Sequence, residues 1–587
     1  MQEEAFISTD IQCKVDQWLH SPFDEKTRED VENLLHHPQK LIDAFYTNLS
    51  FGTAGLRGLM GVGTNRINQY TIGAATQGLA DYIHLVAQQS PLKVAIAFDS
   101  RHHSQEFAYK AANVLAANGI EVFINPELRP TPFLSFMCRY HGCIAAIMIT
   151  ASHNPAEYNG YKVYWSDGAQ VLPPHDEGII YSINKVTNIS QVKSTKNSNP
   201  LIKNLTKADD EAYLHQLQLL QNYPEQTHRN GAKLHIVFSN LHGTGITLLP
   251  QALSKWGFTH IDYVEEQKEP DGNFPTAKNP NPELKEALNL GIQLLQEKNA
   301  DILIATDPDA DRVGIAILHE NQVHLLNGNQ IASICLYHLL ETFSKQKRLS
   351  SNHAAISTIV TTPLLKALCK AYHIHYFETL TGFKYIGEKI KQFEESPKEY
   401  EFLFGAEESY GFLYGTHARD KDALITSCLL SEIALLQKNK NETLLDLLYT
   451  IYKKFGVYQE KQLSIALPEG EQSHIKIEAA MQSLRNHPPK DLLGLTICKI
   501  EDYQLSYELD CKTNRKIPLT LPKSNVLIYH YSDESKCVIR PSGTESKIKI
   551  YAMLKQPIKD SISSTLTELE ASLAKRLNAI KSNYLGL

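Results

Sequence analysis

Short, unbroken apolar runs alternate with segments of helical period along most of this chain. Cys143-Ile-Ala-Ala-Ile-Met-Ile149 is one such run, bounded by Gly142 before it and by Asn154-Pro155 after it. A run that is apolar at every position reads as a strand buried on both faces, near the centre of a sheet. Upstream, residues 93–98 predict a strand ending in Asp99-Ser100-Arg101, 104–118 a helix closed by Gly119, 121–125 a strand and 131–140 a helix. Alternation of this kind implies parallel strands joined by right-handed crossovers. Residues 1–50 read as helical and polar, and 185–205 as a linker without pattern.

The alternation returns twice. A second unit has strands at 234–238 and 260–264, a helix near 248–256, and 300–305 as its last core strand. A third has helices at 330–343 and 363–371, strands at 354–360 and 402–404, and a long closing helix at 423–436. From about Gly456 the pattern changes, with strands at 525–530 and 547–553 and a terminal helix at 563–580. Residues 484–524 carry no motif. The expectation is an α/β chain of four domains, at 1–200, 205–322, 325–450 and 456–587, the last of α+β type.

Composition narrows the function classes. The 58 basic and 65 acidic residues give a net charge of −7, with no global attraction to nucleic acid or anionic membrane. The nine cysteines include no CxxC pair and fit neither a disulfide framework nor a zinc site. Most lie in apolar segments, as reduced core cysteines do. The first residues have no basic stretch followed by an apolar one, and no apolar run approaches the ~20 residues of a membrane span. A cytoplasmic enzyme of small molecules is expected, without membrane or nucleic-acid partners.

Several motifs carry chemistry. Thr150-Ala-Ser152-His153-Asn154-Pro155 follows the central apolar run. Chemistry in open α/β sheets gathers at the carboxyl ends of such strands, so Ser152 is placed like a nucleophile. Asp307-Pro-Asp309-Ala-Asp311-Arg312 follows another buried run. Carboxylates at every second position of a loop can converge on one point and suit Mg²⁺, a hard cation with oxygen ligands at about 2.0–2.1 Å. The competing reading is a solvated acidic turn, but three such close carboxylates repel one another. An EF-hand is excluded, since Gly and Glu are missing at its sixth and twelfth positions.

Phe51-Gly-Thr-Ala-Gly-Leu-Arg57-Gly58 is a glycine-rich loop with one arginine, either an anion contact or a plain turn. Arg540-Pro-Ser542-Gly543-Thr544-Glu-Ser-Lys547 offers a guanidinium, hydroxyls and backbone N–H groups, either a phosphate nest or a hairpin loop. Glu407-Glu408-Ser409-Tyr-Gly411 suits sugar hydroxyls. A glycosidase pair is disfavoured, because adjacent residues of an extended segment point opposite ways. Arg419-Asp-Lys421-Asp422 is either part of a site or a surface charge cluster opening a helix. Gly382 to Lys389 nearly imitates a nucleotide loop, but Glu388 holds the position that needs lysine. Leu241-His-Gly-Thr-Gly245 lacks the third glycine of a dinucleotide fingerprint.

Together the loops at 150–155, 307–312, 407–411 and 540–547, in this order, resemble the α-D-phosphohexomutase superfamily. The segments 51–58, 158–164 and 381–386 are most similar to its branch of type-2 phosphoglucomutases and phosphopentomutases. The resemblance implies three α/β domains with mixed sheets and a C-terminal α+β domain around a central cleft. It implies that Ser152 rests as a phosphoserine and passes its phosphoryl group to a sugar monophosphate. A bisphosphate forms, reorients, and returns its other phosphate. One Mg²⁺ would be held by Asp307, Asp309, Asp311 and an oxygen on Ser152, and a sugar 1,6-bisphosphate would serve as primer.

The same resemblance gives Lys421 the part of general acid/base, with His153 as second candidate and Arg57 beside them. A desolvated lysine near other cations has a lowered pKa. Arg57, Arg312 and Lys421 would offset the anionic substrate. Glu407 and Ser409 would hold sugar hydroxyls opposite Thr381 and Gly382. Arg540, Ser542, Gly543 and Thr544 would clamp the non-reacting phosphate. Closure of the C-terminal domain over the cleft is expected to keep water from the phosphoserine. Glucose 1-phosphate to glucose 6-phosphate is the first reading. The alternatives are a phosphopentomutase, a phosphomannomutase, a sugar 1,6-bisphosphate synthase and a metal-dependent phosphatase. A catalytically silent sugar-phosphate sensor would have lost Ser152 or an aspartate, and this sequence retains them all.

Overall fold

Two mixed sheets meet the expectation of repeated α/β units in the first half of the chain. The structure is a computed structural model and describes residues 7–49, 55–88, 90–467, 471–542 and 547–585. Contacts gather the chain into two units, one of 1–326 with 390–392 and 410–436, the other of 327–389, 393–409 and 437–587.

In the first unit, β1 (Leu56–Leu59), β2 (Lys93–Phe98), β3 (Glu121–Ile124), β4 (Ala145–Ile149), β5 (Tyr158–Trp165) and β6 (Ile202–Asn204) lie in the order β1-β5-β4-β2-β3-β6. β2 pairs in parallel with β3 and β4, and β3 with β6. β5 runs back antiparallel to β4 and β1. All five residues of β4 are buried, as a wholly apolar run requires. Its Ile147 and Ile149 pack with Val94 and Ile96 of β2 against Leu79, Ile83, Phe107 and Leu115 of the covering helices. The stretch read as a linker, 185–205, contributes the edge strand β6. Its three residues, Ile-Lys-Asn, are too few to show an alternation, although Ile202 packs on the core and Lys203 pairs with Glu121 of β3.

β7 (Ile236–Ser239), β8 (Ile261–Tyr263), β9 (Ile302–Thr306), β10 (Val313–His319) and β11 (Gln322–Leu326) form the second sheet, in the order β11-β10-β9-β7-β8. The 300–305 run is therefore not the last core strand. The acidic loop reverses the chain directly into β10, antiparallel to β9, where crossover logic expects a helix.

In the second unit, β12 (His353–Thr358) pairs in parallel with β13 (His375–Thr379) and β14 (Glu401–Glu407). β15 (Gly411–Tyr414) is counted with the first unit, where Gly411 bridges to Arg312. The nucleotide-loop mimic is the start of the helix Phe383–Glu395. That helix, the helix Leu444–Phe455 and β13 were not predicted.

The C-terminal sheet comprises β16 (Val457–Ala466), β17 (Asp491–Leu492), β18 (Leu495–Asp502), β19 (Tyr507–Asp510), β20 (Arg515–Pro518), β21 (Leu527–Tyr531), β22 (Lys536–Pro541) and β23 (Lys547–Gln556). Its order is β16-β23-β22-β21-β18-β19-β20, with β17 beside β18, and the helix Ile562–Ala579 packs on β16 and β23. The stretch without motif, 484–524, supplies β17 to β20. β20 is exposed at every position, so it carries no hydrophobic signal.

No helix among the described residues is long and apolar enough to cross a membrane. Six cysteines, at 138, 143, 335, 369, 428 and 537, are buried, and all nine are free.

The cluster at 419–422 is not a surface feature. Arg419 and Asp422 are wholly buried, with Asp420 and Lys421 nearly so. Asp422 Oδ1 accepts from Leu424 N and Ile425 N, capping the helix Ala423–Lys438. Its Oδ2 accepts from Tyr213 Oη and contacts His417 Nε2, both at 2.7 Å. Asp422→Ala is expected to cost about 2–4 kcal/mol, a cap plus stranded buried donors. A lower urea midpoint and Tm would show it, and an unchanged midpoint would contradict this account of the helix start.

Candidate active site

β4 ends at Ile149 and the chain turns sharply. Ser152 is buried with φ of 52°, a left-handed conformation uncommon for serine. Its Oγ donates to Asp307 Oδ2 at 2.7 Å and lies 3.1 Å from His153 Nδ1. The first and second sheets thus bring together the two loops that the sequence placed 155 residues apart.

The acidic loop leaves the end of β9. Ala310, at φ of 50°, bends it, and the N–H groups of Asp311 and Arg312 donate to Asp307 Oδ1 at 3.1 and 3.0 Å. All three aspartates are buried, and one oxygen from each lies within 4.8 Å of the others. A six-oxygen shell with bonds of about 2.1 Å is about 4 Å across. Asp309 Oδ1 and Asp311 Oδ1 are buried without a hydrogen-bond partner. Buried acceptors left open in an all-oxygen cluster fit a hard divalent cation. Burial rules out the solvated turn.

Two glycines make room for this packing. A Cβ on Gly243 would stand 2.3 Å from Pro308 Cα, so the 241–245 run backs the acidic loop rather than cradling a phosphate. A Cβ on Gly411 would stand 2.0 Å from Lys421 Cδ, which fixes the path of that side chain.

Two buried ammonium groups offset the carboxylates. Lys162 Nζ, from β5, lies 2.8 Å from Asp309 Oδ2 and 3.5 Å from Asp311 Oδ2. Lys421 Nζ lies 3.2 Å from Asp311 Oδ2 and 2.8 Å from Asp420 Oδ1. The sequence reading set Lys421 near other cations. Its first neighbours are instead two carboxylates, with Lys162 beyond them. Thr131 Oγ1 also donates to Asp309 Oδ2, at 2.9 Å.

The ionisation of the cluster follows. Burial, then the charges of Asp309 and Asp311, push Asp307 well above the carboxylate range. Burial acts on Asp309 in the same direction, but Lys162 and hydrogen bonds from Asp307, Lys162 and Thr131 outweigh it and hold Asp309 low. For Lys162, Asp309 and Asp311 outweigh desolvation and raise the pKa. Desolvation first, then Arg312 and Arg57, hold His153 well below the usual imidazole value, so the ring is neutral. Arg57 is exposed, with Nη1 donating to Asn154 Oδ1 at 3.2 Å, and Arg312 Nη1 lies 2.6 Å from Glu283 Oε1.

A second group of the expected residues gathers within the second unit. Gly382 N donates to Glu407 Oε1 at 2.9 Å, and Arg540 Nη1 donates to Thr381 Oγ1. Ser409 is half-buried, and Ser542 N donates to Lys547 O at 2.8 Å. Burial first, then Glu408, raise the Tyr551 phenol, with Arg540 acting against them. Gly543, Thr544 and residues 51–54 of the glycine-rich loop lie outside the described residues.

Sequence reasoning gave no role to Lys162, and named Asp420 only as a member of the 419–422 cluster. Lys162 left a usable signal, since it is the one charge in the strand Tyr158–Trp165, and a buried ammonium needs a carboxylate.

Three family profiles match the chain. They are "Phosphoglucomutase/phosphomannomutase, alpha/beta/alpha domain I" over 48–190, domain II over 211–320 and domain III over 327–455. A phosphoglucomutase of Staphylococcus aureus strain bovine RF122 / ET3-1 is 38% identical over 533 residues, covering 90% of this chain and 93% of its own. Another, from strain MSSA476, is 39% identical over 522 residues, covering 87% and 91%. Among solved structures, a putative phosphomannomutase from Thermus thermophilus superposes with a TM-score of 0.67 at 20% identity, over 91% of this chain and 99% of its own. The pp63/parafusin phosphoglucomutase from Paramecium, in an open form, gives 0.65 at 18%, over 91% and 96%. At those identities the structural likeness is one of fold.

The raised Asp307 sets a proton against any cation at the triad. Its carboxyl stays protonated in the metal-free fold at pH values where an ordinary carboxylate is ionised, so cation affinity rises with pH up to the raised value. Titration with a divalent cation in buffers of different ionisation enthalpy is expected to show release of roughly one proton per ion, lost in Asp307→Asn. Affinity independent of pH, without proton release, would contradict the cluster's assignment.

Proposed function

The chain belongs to the phosphoglucomutase/phosphomannomutase family, a family of metal-dependent phosphosugar mutases, and from that premise we propose that it interconverts glucose 1-phosphate and glucose 6-phosphate through a phosphoserine at Ser152. The observation that carries the reading is the Ser152 hydroxyl at 2.7 Å from Asp307 Oδ2, in a buried left-handed loop beside three carboxylates. The choice of glucose rests on the curated relatives of 38% identity, which are named phosphoglucomutases.

In this reading a free hydroxyl of the sugar monophosphate attacks the phosphorus on Ser152. The bond to Oγ breaks, and the sugar becomes a bisphosphate. After reorientation Ser152 Oγ attacks the other phosphate, and the isomeric monophosphate leaves. A bound Mg²⁺, held by Asp307, Asp309 and Asp311, supplies charge neutralisation for the transferred group. A sugar 1,6-bisphosphate primes the serine.

Lys421, backed by Asp420, is assigned the proton exchanged with the sugar hydroxyl. Lys162 is assigned charge compensation of Asp309 and Asp311. His153, neutral beside Oγ, orients the hydroxyl. Arg57 and Arg312 balance the substrate's charge. Glu407 and Ser409, with Thr381 and Gly382, are assigned the sugar hydroxyls. Arg540, Ser542, Gly543 and Thr544 are assigned the non-reacting phosphate. The division into domains at 1–200, 205–322, 325–450 and 456–587 belongs to the same reading.

Ser152→Ala is expected to keep its Tm and lose mutase turnover by at least about 10⁴-fold, since the covalent route is closed. Turnover within about tenfold of wild type would overturn the nucleophile assignment. Values of kcat/KM on glucose 1-phosphate, mannose 1-phosphate and ribose 1-phosphate test the sugar. Glucose 1-phosphate is expected to lead, and a pentose in first place would overturn that choice.

A further inference from the structure

The Asp99-Ser100-Arg101 turn at the end of β2 is a motif that the roles above do not use. Arg101 is 3% exposed. Its Nη1 donates to the carbonyls of Pro155 and Tyr158 at 2.7 and 2.9 Å. Its Nη2 donates to the carbonyl of Ser152 at 2.7 Å and to that of Asn154. Three carbonyls of the serine loop and that of Tyr158, which opens β5, therefore converge on one guanidinium. Nε lies 3.3 Å from Asp99 Oδ2, and the group stacks 4.9 Å over the Phe274 ring.

The same turn holds the other side of Ser152. Asp99 Oδ2 accepts from Thr150 Oγ1 at 2.6 Å, and Thr150 Oγ1 accepts from Ser152 N at 2.8 Å. The turn is closed on itself, since Arg101 N and Ser104 Oγ both donate to Asp99 Oδ1. It is also backed from the second sheet's side of the unit, where a Cβ on Gly272 would stand 2.7 Å from His102 N.

We propose that Arg101 is a positioning residue for phosphoryl transfer, a rigid mould that keeps Ser152 left-handed and its Oγ aimed at the acidic triad. The proposal rests on the reading of Ser152 as nucleophile. A left-handed serine is strained and persists only where its surroundings over-determine it. Here the carbonyl is pinned by Arg101 and the N–H by the Asp99–Thr150 pair. A planar fork of donors suits four carbonyls in a way one ammonium does not. A misplacement of about 1 Å at a reacting atom costs about 100-fold in rate. Arg101 bonds the loop's backbone, so its effect belongs in kcat rather than in substrate affinity.

The test uses the full chain. Arg101→Lys keeps a cation against Asp99 but removes the fork. Its kcat is expected to fall about 100-fold, while KM for glucose 1-phosphate and the Mg²⁺ affinity stay within about threefold. Arg101→Ala with added methylguanidinium is expected to regain about tenfold of its lost kcat, which a general loss of stability would not allow. Thr150→Val, nearly isosteric, loosens the other side of Ser152 and is expected to give the same split between kcat and KM, so the proposal stays testable if the arginine variants fail to fold. Wild-type kcat in Arg101→Lys or in Thr150→Val, or a kcat loss matched by an equal loss of Mg²⁺ affinity, overturns it. Peptide mass spectrometry separates the two levels. A wild type that takes no phosphoryl group on Ser152 from glucose 1,6-bisphosphate brings down the nucleophile reading itself, whereas a phosphorylated wild type with an unimpaired Arg101→Lys brings down the positioning role alone.

Discussion

Three carboxylates shut away from water within one small volume are the constraint that shapes the first unit. Two unit charges at 4 Å repel by about 4 kcal/mol at an effective dielectric near 20. The fold answers with the ammonium groups of Lys162 and Lys421 and with the Thr131 hydroxyl. It also makes steric room, through Gly243 behind Pro308 and Gly411 beside the Lys421 stem. Two carboxylate oxygens still lack a hydrogen-bond partner, and that residual demand is the argument for a cation.

The serine loop answers to the same constraint. β4 and β9 deliver Ser152 and Asp307 from the carboxyl ends of two different sheets to hydrogen-bond distance. A hydroxyl that close to a carboxylate gains a partner, but a phosphoryl group there would meet strong repulsion without positive charge nearby. Lys162, Lys421, Arg101 and Arg312 all lie within the same unit, each tied to a carboxylate or to the loop itself. Such a site is preorganised around charge, which is what phosphoryl transfer needs of a protein.

The sequence was most legible where burial leaves no choice. β4 reads at once, because five consecutive buried positions admit only apolar residues. The acidic loop reads equally well, since carboxylates so closely spaced need a cause. Short or exposed edge strands were silent, as with the three-residue β6 and the exposed β20. The reversal from β9 into β10 was missed because repeated α/β alternation favours a helix at that point. The charges at 419–422 could not be told from a solvated helix start, because two of the groups that bury them, Tyr213 and Tyr164, are more than 200 residues away in sequence. Lys162 was visible as a lone charge in an apolar strand, yet its partner was not. Arg101 stood in the sequence only as the end of a strand, and its partners were not readable, since it binds carbonyls, which every residue has.

The most direct measurement of the central claim is anomalous diffraction from crystals of the full chain soaked in Mn²⁺, a stand-in for Mg²⁺ with the same preference for oxygen ligands. The account predicts one strong peak within coordination distance of carboxylate oxygens from Asp307, Asp309 and Asp311. An ordered triad with no peak, or a peak held by other residues, would contradict it.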